Sequence, residues 1–222
     1  MSNQRTSGKP VSDGLAKQVG RMVEDASLKY PGGTAKLELV KGDPGFTDAL
    51  YQFFDERAAK RAETMAVTDR PPFKTVKLGT HDSNEALRKE ILGAGCKIGD
   101  WGLDILKRVE VAKEPTEIDI IVLTVAELGF PNGATCKDIY AKALSLGLQL
   151  CPAEVGPQLR LQYMDQPKGE WILIGMEPIT DSDGNLKVFN VEHDGSVRWL
   201  RGIGGNPVNF WVGYDRWAFR RK

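Results

Sequence analysis

The feature that most constrains this chain is its last third, where short apolar or alternating runs are joined by Asp-Gly turns. Segments Gln158–Tyr163, Glu170–Met176, Leu186–Glu192 and Ser196–Arg201 read as strands. Between them lie Asp165-Gln166-Pro167-Lys168-Gly169, Asp181-Ser182-Asp183-Gly184 and His193-Asp194-Gly195. Asp-Gly between such runs signals a hairpin, because glycine reaches the positive φ of a tight turn without steric cost. The pattern predicts an antiparallel meander over residues 158–222, as an open sheet or a small barrel. A meander also fixes which loops share an end.

The chain upstream reads differently. The first ten or so residues are polar, rich in Ser, Gly and Lys, and are expected to be disordered. Leu15, Val19, Met22, Val23 and Ala26 fall on one helical face, and Pro31-Gly32-Gly33 ends it. Thr34–Val40 is a candidate short strand. A second helix is predicted near Thr47–Ala66, with Leu50, Phe53, Phe54, Ala58 and Met65 as its apolar stripe. Pro71-Pro72 then rules out helix and central strand, so residues 1–72 are set apart from a body at 73–222. In that body Lys74–Leu78 alternates like a strand, and Asp82 with Glu85 predicts a capped helix ending at Gly93-Ala94-Gly95. Asp100 is expected to cap a short helix with Trp101, Ile105 and Leu106. Glu117–Thr124 suits a buried strand, and Thr135 with Asp138 caps a helix that Gly147 ends. The fold class that follows is α+β, a mixed helical N-terminal part followed by a C-terminal antiparallel sheet.

Three strings carry a resemblance: Ile98-Gly99-Asp100-Trp101, the run from Leu150-Cys151-Pro152 to Gln162-Tyr163, and Met176-Glu177-Pro178-Ile179-Thr180-Asp181-Ser182-Asp183-Gly184. From about Lys74 to Lys222 the chain resembles an uncharacterised bacterial family known mainly from genome and metagenome sequence. The resemblance implies a segment boundary near residue 74 and brings no activity with it.

Charge and motifs exclude more than they assign. Thirty basic and thirty acidic side chains give a formal net charge of zero, which removes the electrostatic argument for a nucleic-acid or anionic-membrane partner. The longest apolar run, Ile120–Leu123, is far short of the roughly 20 residues of a bilayer span. The polar start lacks the apolar centre of a signal peptide, and Cys96, Cys136 and Cys151 form no Cys-x-x-Cys pair. A cytoplasmic chain with three small buried thiols is the expectation. His81 and His193 stand alone, without a second ligand at metal spacing, and His193 reads as an exposed turn residue. No phosphate loop or nucleophile elbow occurs, so no metal or cofactor is predicted.

What remains is a rim of carboxylates. If Gln158–Tyr163 pairs antiparallel with Glu170–Met176, then Glu154 and Glu177 lie at one end of that hairpin. Asp181 and Asp183 occupy the next turn at the same end, and the loop Gly202–Asn209 opens there too. Two carboxylates in different environments are the chemistry of glycoside hydrolysis, with one protonated and its partner ionised. Asp181 or Asp183 would tune them. Asp181, Asp183 and Asn185 also resemble part of a calcium loop, but glycine stands at the fourth position and no distal Glu completes it. Turn chemistry alone accounts for Asp and Gly there. Trp171 and Trp199, beside Ile172 and Leu200, read as core. Trp211, Tyr214 and Trp217 lie among polar neighbours and read as a ligand face on which a sugar would stack. Two functions follow from the sequence: a carbohydrate-directed protein acting as a glycoside hydrolase through Glu154 and Glu177, or a non-catalytic module that binds a protein partner or a second copy.

Overall fold

The computed structural model describes residues 44–222 and Arg21. The expected disordered start, first helix and Thr34–Val40 strand lie outside the described residues. The expected second helix is α1 (Pro44–Thr68), and Phe53, Phe54, Ala58 and Met65 of its predicted stripe are exposed. The chain divides into two compact units at Lys60 and Arg61, within α1.

The second unit runs β1 (Lys74–Leu78), α2 (Asn84–Gly93), β2 (Lys97–Ile98), α3 (Asp100–Leu106), β3 (Thr116–Thr124), β4 (Ala134–Thr135) and α4 (Cys136–Ser145). It continues with α5 (Val155–Gln162), β5 (Trp171–Ile174), β6 (Ile179–Thr180), β7 (Leu186–His193), β8 (Arg198–Gly204), β9 (Phe210–Trp211) and β10 (Arg216–Arg220). The fold is α+β. One large, curled, mostly antiparallel sheet has the order β1-β3-β10-β5-β7-β8-β2, with β6 beside β7, and β4 and β9 form a separate pair.

Two features of the sheet depart from a meander. The last strand, β10, inserts between β3 and β5, antiparallel to the first and parallel to the second. At the far edge β2 pairs parallel with β8. The β5-β7-β8 part is antiparallel as expected, and Gly184 and Gly195 take positive φ in its turns, at 83° and 100°. The strand expected at Ser196–Arg201 extends to Gly204, so part of the expected glycine-rich loop is ladder.

The larger correction is Gln158–Tyr163. It is not a strand but the body of α5. Leu159, Leu161 and Tyr163 alternate, which reads as period two, but the polar residues Glu154, Gln158 and Gln162 repeat every four. That spacing puts all three on one side of a helix. Pro157 is compatible because it lies in the first turn, where no intrahelical N–H bond is lost. Smaller shifts occur at two caps. Ser83, not Asp82, accepts the Ala86 N–H at the start of α2, and α3 begins after Gly99 without a side-chain cap. The Thr135–Asp138 cap forms as expected, with the Asp138 N–H donating to Thr135 Oγ1 at 3.3 Å.

Register fixes the two faces of the sheet. Leu173 pairs with Asn190 and with Trp217, whereas Phe189 pairs with Gly202, so Trp217 and Phe189 point to opposite faces. On the Phe189 face lies α5, so close that a Cβ at Gly156 would stand 2.6 Å from the Phe189 ring. On the other face α4 sets Tyr140 edge-on to Trp217 and Phe219, at 5.6 Å and 6.0 Å between ring centroids. Helix α3 packs by backbone onto β8 through Gly102. We expect Gly102→Ala to destabilise the fold by about 1–3 kcal/mol. Its Cβ would sit 2.9 Å from the Leu200 carbonyl oxygen and 3.0 Å from the Arg201 carbonyl carbon, which are backbone atoms that cannot rotate aside. Urea unfolding checks this, and an unchanged midpoint would refute the close-packing argument.

Candidate functional site

Of the expected carboxylates the most deeply placed is Glu154, 1% exposed at the start of α5. Its Oε1 accepts the Gly79 N–H at 2.8 Å and the Gln158 Nε2 at 2.9 Å, and its Oε2 accepts the Ala112 N–H at 2.8 Å. A carboxylate held by two backbone amides from separate loops is a structural tie. One turn on, Gln158 exchanges hydrogen bonds with Thr80, at 2.8 Å and 3.1 Å. A further turn on, the Gln162 amide accepts the Lys77 N–H at 2.9 Å and donates to the Lys77 carbonyl at 2.8 Å.

Glu154 also borders a concavity of about 310 Å³ at the end of the curled sheet. Leu78, Val111, Ala112, Ile118 and Pro152 form its apolar wall, and Glu110, Thr116 and Arg220 supply further polar groups. Sequence reading missed Glu110 and Arg220. Nothing local marks them, because one sits in the loop before β3 and the other at the end of β10.

The other expected carboxylates differ in burial and partners. Glu177 is exposed just past β5, and its charge is felt by the Tyr140 hydroxyl on α4, the helix covering the face opposite α5. The hairpin that would have paired Glu154 with Glu177 does not exist, since its first strand is α5. Asp181 is buried and occupied: its Oδ1 accepts the Asp183 and Asn185 N–H groups at 3.0 Å and 2.8 Å. Its Oδ2 stands 3.7 Å from Lys187 Nζ, which lies 3.4 Å from the centre of the Trp101 ring. A cation therefore already faces Asp181. Asp183 is an exposed turn residue whose N–H serves Asp181.

No protein-family model, curated protein or solved structure matches the chain. The geometry alone carries the functional argument.

Three tryptophan assignments invert. Trp217, expected on a ligand face, is fully buried between Tyr140, Phe219 and Trp211, and Trp211 is itself buried. Trp199, expected in the core, is half-buried, with Lys97 and Arg201 on its ring at 5.3 Å and 4.2 Å. Trp171 is half-buried and packs against the core, as expected. His193, expected to be exposed, is buried with Nδ1 2.8 Å from the Gln166 carbonyl oxygen. Tyr214 alone of the three expected ligand residues is exposed. It lines a second, shallower concavity of about 530 Å³ with Thr124, Pro131 and Asn132.

Around Tyr214 runs a row that sequence reading also missed. Val208, Phe210, Val212 and Tyr214 are exposed along a segment whose strand is Phe210–Trp211, with turns at 207–208 and 213–214. Asn209, Trp211 and Gly213 lie between them, less exposed. The signal was legible as period two: apolar residues occupy every second position from 208 to 214.

Among the described residues no helix is long and apolar enough to cross a membrane. The three cysteines are free and buried, and burial pushes the Cys136 thiol up to about 11 and the Cys151 thiol up to about 12. Neither is a thiolate at neutral pH.

Two outcomes test this description. Glu154→Gln places an NH₂ where an acceptor stood and leaves a backbone N–H unpaired in the interior. A loss of about 1–3 kcal/mol in chemical unfolding is expected, and an unchanged stability would show that the tie contributes nothing. The second concerns Asp194, in the turn before β8. Its Oδ1 accepts the Val197 and Ser196 N–H groups at 2.8 Å and 2.9 Å, and its Oδ2 accepts the Trp199 indole N–H at 2.8 Å. The Val197 and Ser196 amides, followed by Trp199, hold this carboxyl well below the usual range. A depressed carboxyl stabilises the fold above its unfolded value of about 3.9 and loses that contribution as pH falls through the lower folded value. Unfolding midpoints measured from neutral to strongly acidic pH should fall less steeply in Asp194→Asn than in wild type. Parallel curves would remove Asp194 from the acid response.

Proposed function

We propose that this chain is a non-catalytic interaction module whose docking face is the row Val208, Phe210, Val212 and Tyr214. One observation carries the reading: the exposed positions from 208 to 214 are apolar without exception, at 76%, 61%, 37% and 76% exposure. Exposed apolar side chains gathered along one short segment mark an interaction site. The row is also held in shape before any partner arrives. Cys136 and Lys137 donate N–H groups to the Asn209 and Pro207 carbonyls, and Ala126 donates to Gly213. Asp215 Oδ2 accepts the Val212 N–H at 2.8 Å. The Phe210 ring is seated on Gly133, where a Cβ would stand 2.6 Å from the ring. Preorganised aromatic anchors of this kind dominate interface energetics, because little ordering remains to be done on binding.

The occupant tested first is a second copy of the chain, whose net charge of zero leaves no long-range repulsion between copies. Sedimentation velocity of wild type should show concentration-dependent association, abolished in Phe210→Asp/Tyr214→Asp with the melting temperature unchanged. A wild type that remains monomeric excludes self-docking. Hydrogen exchange of residues 208–214 that is the same with and without candidate protein partners would then refute the docking reading as a whole.

A second reading rests on the Tyr214 concavity. There the exposed phenol stands beside Asn132 and Thr124, which suits stacking of a sugar ring with hydrogen bonds at its edge. This is the carbohydrate-directed function without hydrolysis, because Glu154 is committed to two backbone amides and Gln158. Titration with a glycan panel tests it: binding lost in Tyr214→Ala supports the reading, and no binding by wild type refutes it.

A further inference from the structure

The 310 Å³ concavity at the sheet end has a charge arrangement that neither the docking row nor the Tyr214 site uses. Arg220 is held in place at its backbone, where it and Gln149 exchange N–H to carbonyl bonds at 2.8 Å in both directions. Its neighbours on β10 and beyond are paired: Arg216 with Glu170, and Arg221 with Asp119 at 3.8 Å. The Arg220 guanidinium has no ion pair among the described residues, although it lines the pocket. The nearby Cys151 thiol is buried and neutral, so it provides no counter-charge.

Two carboxylates face the same space. Glu110 is exposed at the pocket with no ion pair of its own among the described residues. Glu154 spends three acceptor positions on Gly79, Gln158 and Ala112, and its Oε2 takes one donor only, which leaves lone-pair capacity on that oxygen. A simple anion would meet two carboxylates here, and a simple cation would meet the guanidinium. A zwitterion satisfies both. The volume is at the small end of ligand pockets, and Leu78, Ile118 and Pro152 are apolar.

We infer that this pocket binds a small α-amino acid with an apolar side chain. The ligand carboxylate pairs with Arg220, its ammonium with Glu110 and the free capacity of Glu154, and its side chain packs on Leu78, Ile118 and Pro152. Guanidinium is the group suited to a carboxylate, since its planar fork offers two parallel donors.

The test is methyl-resolved NMR titration of the full chain with L-valine and L-leucine, with isovalerate and isobutylamine as half-ligands. Saturable shifts at Leu78 and Ile118 are expected from the amino acids, with each half-ligand much weaker. Arg220→Gln and Glu110→Gln should each weaken amino-acid binding by roughly ten- to hundredfold, the loss expected for one charged hydrogen-bond partner. Thermal unfolding confirms that both variants are folded, which is expected because neither side chain ties elements together. Affinity unchanged in both variants, half-ligands that bind as tightly as the amino acids, or no saturable shift from any probe would each overturn the assignment. Because the readout sits at Leu78 and Ile118, it is independent of whether copies associate through Phe210.

Discussion

The structure depends on how the open edge at β1 is closed. A sheet that curls without sealing must end in a strand whose outward N–H and C=O groups have no ladder partner, and such an edge recruits other chains. Here α5 closes it with side chains. Gln162 presents an amide to Lys77 that accepts its N–H and donates to its carbonyl, the pattern a neighbouring strand would offer. Glu154 takes the next outward N–H, at Gly79, and reaches across to Ala112 in the loop before β3. Residues spaced by four on α5 thus do the work of an extra strand. The opposite side of that helix, with Val155 and Leu159 buried, packs on the sheet.

The same helix explains an otherwise awkward burial. Arg160 is fully buried, and burial lowers its pKa from the ordinary arginine value. Its two terminal nitrogens meet oxygen dipoles, Gln166 Oε1 at 2.5 Å and the Tyr163 carbonyl at 2.6 Å, with Glu192 and Trp199 carbonyls at 3.3 Å and 3.5 Å, while Nε has no partner. The last two belong to β7 and β8, so a single side chain joins the end of α5 to two strands. A buried charge is tolerable where such partners are fixed in advance, and removing them is what would cost stability. Nearby, Glu170 accepts from both Arg216 and the Tyr163 hydroxyl, which fastens the starts of β5 and β10 to α5.

How much of this was legible follows from the range of each signal. Local chemistry was readable: the Asp-Gly turns, the Thr135–Asp138 cap and the apolar run of β3 all depend on residues within a few positions of one another. The α+β class follows from them. The insertion of β10 between β3 and β5 was not readable, because nothing in Arg216–Arg220 names its neighbours. Gln158–Tyr163 failed for a different reason. Its residues satisfy period two and period four together, and the tertiary demand of the β1 edge decides between them. Once that segment became a helix, the argument that set Glu154 beside Glu177 lost its premise. Three tryptophans inverted because polar sequence neighbours say little about a strand's side chains, which alternate between faces. Arg216 is adjacent to Trp217 on β10, so the two point to opposite sides, and Trp217 enters the core.

A buried glutamate in a pocket invites a catalytic reading, and the decisive question is what its lone pairs are doing. A general acid or base must exchange a proton with substrate at hydrogen-bond reach. Glu154 uses three acceptor positions to hold two loops and its own helix, and protonating it would forfeit the contacts that close the β1 edge. Such a group shapes the pocket wall while its oxygens hold the two loops. Arg220 lines the same concavity, and its planar guanidinium fork suits a carboxylate. On the two proposals, the sheet end reads charge and the apolar row from Val208 to Tyr214 reads shape, with no residue in common.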